Sequence, residues 1–211
     1  MVLFRATTVD DMIKSFPTHN IVSLEGRPTY RTLNPILKSL DRCAEAIPSQ
    51  QQKGHLYLTT TDAEFLAKTG DVRVTPTRPA LTPTIARGAT DAQIAQANKD
   101  HEKEIQQYHS HQIVTEALKK LVTENVQEMY LGEVDMSVAT ILEVTTHLKT
   151  RYYRISSAEL NHNDQELQSS WDTKESVEAY FQRVTLCAEL AHDAPQVDDY
   201  TDKQLIQVMF L

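Results

Sequence analysis

Two cysteines, five glycines and one tryptophan are all that the 211 residues contain of these types. Two cysteines cannot build a disulfide scaffold or a zinc knuckle. Five glycines leave no Gly-rich phosphate loop; Gly88 stands alone beside Arg87. No apolar run approaches the ~20 residues of a membrane span, and the start, Met1-Val2-Leu3-Phe4-Arg5, lacks the basic and apolar regions of a signal peptide. Basic residues are outnumbered, giving a formal net charge of −8 and a pI near 5.5. Phosphate contacts need clustered Lys and Arg, so nucleic acid is a poor default partner.

The motifs of catalysis are missing as well. There is no His-Glu-x-x-His; His109 and His111 stand two apart, so on a helix they face different directions, and His101 with His109 has the wrong spacing for a shared metal. Asp10-Asp11, Asp198-Asp199 and Glu102 with Glu104 lie in polar segments and read as solvated faces or caps. Ser156-Ser157 and Ser169-Ser170 lack a Gly-x-Ser-x-Gly setting. The expectation is a protein that is not an enzyme, with no metal, no cofactor and no small-molecule substrate. Cys43 and Cys187 fall on apolar helical faces and read as reduced core residues, which suits a cytoplasmic location, with a disulfide as the alternative.

The chain has two compositional zones. Residues 1–89 hold seven of the eight prolines and end in the strap Thr75-Pro76-Thr77-Arg78-Pro79-Ala80-Leu81-Thr82-Pro83-Thr84, too proline-rich for helix or central strand. Within this zone Ile21-Val22-Ser23-Leu24 and His55-Leu56-Tyr57-Leu58-Thr59-Thr60 read as short strands that pair in a small ribbon. Between them Leu33, Ile36, Leu37, Leu40, Ala44 and Ile47 make a helix face, and Thr61-Asp62-Ala63-Glu64 is a capping box for a helix ending near Gly70. The second zone reads as helix after helix. Thr90-Asp91-Ala92-Gln93 opens a long one with Ile105, Tyr108, Ile113, Val114, Ala117, Leu118, Leu121 and Val122 on its buried side and a break near Thr123–Asn125. A helix with Val138, Ile141, Leu142, Thr145 and Leu148 follows, and then one capped at Ser156-Ser157 that carries Leu160, Leu167 and Trp171. Thr201-Asp202-Lys203-Gln204 caps a last apolar pattern through Leu211. The fold class expected is all-α, in helical lobes, with a small N-terminal extended or β-ribbon region.

Two segments carry the functional expectation. Arg151-Tyr152-Tyr153-Arg154 interleaves cations and aromatics, which suits base stacking and phosphate contact by Arg151 and Arg154, or else a helix C-terminus whose tyrosines pack. The other is Lys174-Glu175-Ser176-Val177-Glu178-Ala179-Tyr180-Phe181-Gln182-Arg183-Val184, preceded by Trp171-Asp172-Thr173. Asp172 or Thr173 is placed to cap a helix, and Val177, Tyr180, Phe181, Val184, Cys187, Ala188 and Ala191 form its apolar stripe.

This second segment resembles the major homology region of retroviral and retrotransposon capsid proteins, through Lys174, Glu175, Val177, Tyr180, Phe181 and Arg183. With Gly54–Thr59, Thr61–Phe65, the His101–Tyr130 helix, the Ile141…Tyr152 segment and Leu160…Trp171-Asp172, the order of pieces is similar to Gag of copia-type LTR retrotransposons. The resemblance covers about residues 18–208. It implies a structural, self-associating capsid protein that forms a virus-like particle around element RNA. It further implies an N-terminal extension over 1–89, an N-terminal capsid lobe over 90–171 and the start of a C-terminal lobe over 172–211. It makes Glu175 and Arg183 members of a hydrogen-bond network that shapes the C-terminal lobe. Trp171 and Asp172 stand where retroviral chains carry Gln and Gly. The partners implied are other copies of the chain and, weakly for this chain alone, RNA; no membrane. The alternative is a helical interaction adaptor, derived from Gag, that forms no shell.

Overall fold

The computed structural model describes residues 8–17, 23–24, 26–172 and 174–193. Among these residues seven α-helices follow one another: α1 (Val9–Ser15), α2 (Tyr30–Ala46), α3 (Asp62–Thr69), α4 (Asp91–Asn125), α5 (Ile141–Tyr152), α6 (Ser157–Gln168) and α7 (Val177–Asp193), with 3₁₀ turns at Leu56–Leu58 and Glu128–Tyr130. Among the described residues there is no strand. The all-α expectation holds. Reciprocal capping boxes open α3 at Thr61/Glu64, α4 at Thr90/Gln93, α5 at Thr140/Glu143 and α6 at Ser156/Glu159.

The chain divides into two compact units, 1–153 and 154–211. These units do not follow the expected divisions at 89/90 and 171/172. The region before residue 90 shares one core with α4 and α5, and α6 packs against α7.

In the first unit α2 buries Leu33, Ile36, Leu37, Leu40 and Ala44, and its C-cap Ile47 is buried with them, the face read from the sequence. Val114, Ala117, Leu118, Leu121 and Val122 of α4 meet it. The buried side of α4 is shorter than expected: Ile105, Tyr108 and Ile113 are only half-buried, because α1, α2 and α5 pack on the part of the helix that follows them. Val138 is exposed and precedes α5, whose cap is Thr140. Cys43 and Cys187 are both buried, and neither forms a disulfide.

The expected ribbon fails at His55–Thr60, which winds into a 3₁₀ turn; Ile21 and Val22 lie outside the described residues. The whole stretch is buried, so a strand there would need partners on both edges. The turn satisfies its own backbone instead: Leu58 N donates to His55 O (2.9 Å) and Thr59 N to Leu56 O (3.1 Å). It is fastened to the end of α2, where His55 N donates to Ala44 O (2.9 Å) and His55 Nδ1 to Ile47 O (3.0 Å). Tyr57 Oη meets His111 Nδ1 on α4 at 3.0 Å, with the rings stacked.

Burial lowers the pKa of His55 from its ordinary 6.5 to about 4, against the opposing hydrogen bond to Ile47 O; the nearby His111 adds to the depression. Burial lowers His111 too. Because the folded-state pKa lies below the unfolded one, the unfolded chain takes up the proton first. Stability is therefore complete above about pH 6.5, falls as pH drops towards 4, and levels off below that. His55 alone should account for about 3 kcal/mol across this window. Urea unfolding followed between pH 7.5 and 4.5 checks it, and a flat profile below pH 6.5 would contradict the burial of a neutral imidazole.

Candidate functional site

The second unit is built on a loop between two antagonistic helix ends. The closing turn of α6 leaves carbonyls without intrahelical partners, and its dipole makes that end negative. α7 begins only at Val177. Ser176, rather than Asp172, is its cap: Ser176 Oγ accepts from Ala179 N (3.2 Å) and Ser176 O from Tyr180 N (3.1 Å). Thr173, the other expected cap, lies outside the described residues.

Arg183, two turns into α7, reaches back to the end of α6. Its Nη1 donates to Glu166 O and to Ser169 O (3.3 Å), and its Nη2 to Ser169 O and to the Glu175 carboxylate (both 3.4 Å). The guanidinium also lies over the Tyr180 ring, 5.0 Å from its centroid. One planar fork thus serves three acceptors and a π-face, which a point-charge lysine cannot do. The structure brings Glu175, Tyr180 and Arg183 together.

Trp171 joins the same network through its indole N–H, which donates to Glu175 O (2.9 Å). Asp172 turns the chain, its Oδ1 accepting from Lys174 N (3.0 Å) and its carbonyl from Glu175 N (2.8 Å). Trp171 and Asp172 thus both make hydrogen bonds within the loop. Asn163 is one of the residues that carry the resemblance, between Leu160 and Leu167, with no role attached to it. It is buried and its Nδ2 donates to Cys187 O (3.0 Å), a second tie between α6 and α7. An Asn on an otherwise apolar helix face was the signal available.

The apolar stripe of α7 needs correction. Tyr180, Val184 and Cys187 pack with Leu167, while Val177 and Phe181 are exposed, Phe181 at 46%. Among the described residues α6 is the helix packed on α7, and it covers a narrow stripe. Tyr180 and Phe181, about 100° apart around the helix, cannot both enter it.

Of the two candidate nucleic-acid contacts, Arg151 is ion-paired with Glu133, and Arg154 is exposed. The intervening tyrosines are half-buried. Tyr153 Oη donates to Asn34 Oδ1 (2.9 Å), and its ring meets Tyr30 at 4.5 Å; Tyr152 lies edge-on to Tyr130. This is the packing arrangement of the two alternatives for that motif.

Chemically the Arg183 cluster fixes the angle at which α7 leaves the loop; its donors are spent on backbone carbonyls and one carboxylate. Arg183→Met should therefore loosen the second unit by about 2 kcal/mol, since charged hydrogen bonds are lost in a half-buried setting. Thermal melting read by the fluorescence of Trp171, the one tryptophan, checks this; an unchanged midpoint would contradict the bracing role.

Among the described residues no group of three or more His, Cys, Asp or Glu side chains is placed to hold a metal ion, and no helix is long and apolar enough to cross a membrane. No family model, curated protein or solved structure matches this chain.

Proposed function

We propose that this chain is a Gag-like structural protein, acting in the cytoplasm, whose copies associate into a capsid-like particle. The observation that carries the reading is the cluster of Glu175, Tyr180 and Arg183 with Trp171, built from the residues of the homology-region pattern. A shell protein needs a C-terminal lobe whose helices keep one fixed geometry through many identical contacts, and a guanidinium brace supplies that rigidity. Val177 and Phe181, exposed beside the brace, offer apolar surface for contacts between copies. Element RNA would be a weakly held cargo of this chain, with steep salt dependence.

The acid excess favours a second reading, a helical adaptor that binds protein partners and forms no shell. Electron microscopy of purified protein across salt concentrations separates the two: rings, sheets or closed particles support the first, and uniformly small particles at every salt support the second.

A further inference from the structure

The segment between Asp71 and Asp91 contains Arg73, Arg78 and Arg87 and no acidic residue, so the acid excess of the chain lies entirely outside it. Pro76, Pro79 and Pro83 fix their own φ and push Thr75, Arg78 and Thr82 into extended conformations, making the strap stiff. One side is fastened to its own unit. Arg73 pairs with Asp62 (2.8 Å) and donates to Thr60 O (3.0 Å), and the Gln51 side chain makes both a donor and an acceptor bond with the Val74 backbone. Apolar side chains along the strap are left open: Val74 is 62% exposed and Leu81 93%, with Arg78 exposed between them in the chain.

Residues 154–193 have the opposite character. They hold eight acids against three bases, and their exposed apolar groups are Trp171, Val177, Phe181 and Leu186. Asp172 and Glu178 are exposed beside them.

We infer that the strap of one copy docks on the exposed Val177–Phe181 edge of α7 in a second copy, Leu81 and Val74 meeting the apolar side chains and Arg78 the acidic ones. The inference rests on the self-association reading and names its surfaces. The charges are complementary, and a strap already stiff gives up little freedom on docking. Each copy carries one donor and one acceptor face, and engaged head-to-tail with successive copies these build rings or open arrays.

Mixing defective copies tests this by sedimentation. Leu81→Asp removes the donor face, and Phe181→Asp removes the acceptor face; both sites are exposed, and circular dichroism verifies folding, with Glu178→Lys as the substitute acceptor variant. The parent should form species larger than dimers, weakened about tenfold between about 0.05 and about 0.5 M salt. Each variant alone should be monomeric, and an equimolar mixture should give one-to-one dimers and nothing larger. If the variants assemble as the parent does, or their mixture stays monomeric, the docking inference is overturned while self-association stands. A parent that is monomeric throughout overturns both.

Discussion

Gly54→Ala should cost the first unit more than about 4 kcal/mol, enough to unfold it or leave it barely stable. Gly54 has φ +56°, a left-handed backbone that is unfavourable for residues with a Cβ. The added Cβ would also lie 2.5 Å from Glu45 O and closer still to Ile47 O. These are backbone atoms at the end of α2 and cannot rotate away. The same passage carries the His55–Thr60 turn, so relief by moving the chain would break the bonds to Ala44 O and Ile47 O. Gly70→Ala is the control. It has φ +77° with nothing within 4 Å of the added carbon, and should lose only the left-handed strain, about 1–2 kcal/mol. Urea unfolding of both variants measures the contrast, and equal losses would mean that close approach at Gly54 is not what matters.

Tyr180→Ala should cost the second unit about 3–5 kcal/mol, while Phe181→Ala costs under about 1 kcal/mol. Tyr180 is 5% exposed, packs with Leu167, Val184 and Cys187, and provides the face over which Arg183 lies. Phe181 touches the edge of that ring but is half open to solvent. Read from the sequence alone, both rings belonged to one stripe and both truncations were severe. Melting of the two variants decides: two equal and large losses would restore the broad stripe and place Phe181 in the core.

The legible parts of this fold were those governed by local chemistry. A hydroxyl followed three residues later by Glu or Gln marked the openings of α3 and α4, since the reciprocal bonds close within one turn. The core face of α2 followed from its apolar spacing, and Gly70 ended α3 in the left-handed conformation. What misled was alternation without a partner: Leu56, Tyr57 and Leu58 are buried from all sides, and sequence periodicity cannot distinguish a buried turn from a buried strand. Helix width misled too. Val177, Tyr180 and Phe181 are all apolar, but how many are covered depends on how many neighbours α7 has. Glu175 and Arg183 were paired by resemblance; that Trp171 holds the Glu175 carbonyl and that Arg183 seals the end of α6 are tertiary facts with no short-range signal. Arg78 and Leu81 looked like linker. The exposure of both side chains belongs to the folded chain, while the absence of acids from their segment is already present in the sequence.

The central claim is that identical copies of this chain associate. Analytical ultracentrifugation of the purified protein over a wide concentration range, at low and high salt, tests it most directly. The account predicts reversible growth in sedimentation coefficient beyond that of a dimer, reduced by salt and lost in Leu81→Asp. A single monomeric boundary at every concentration and every salt would contradict it.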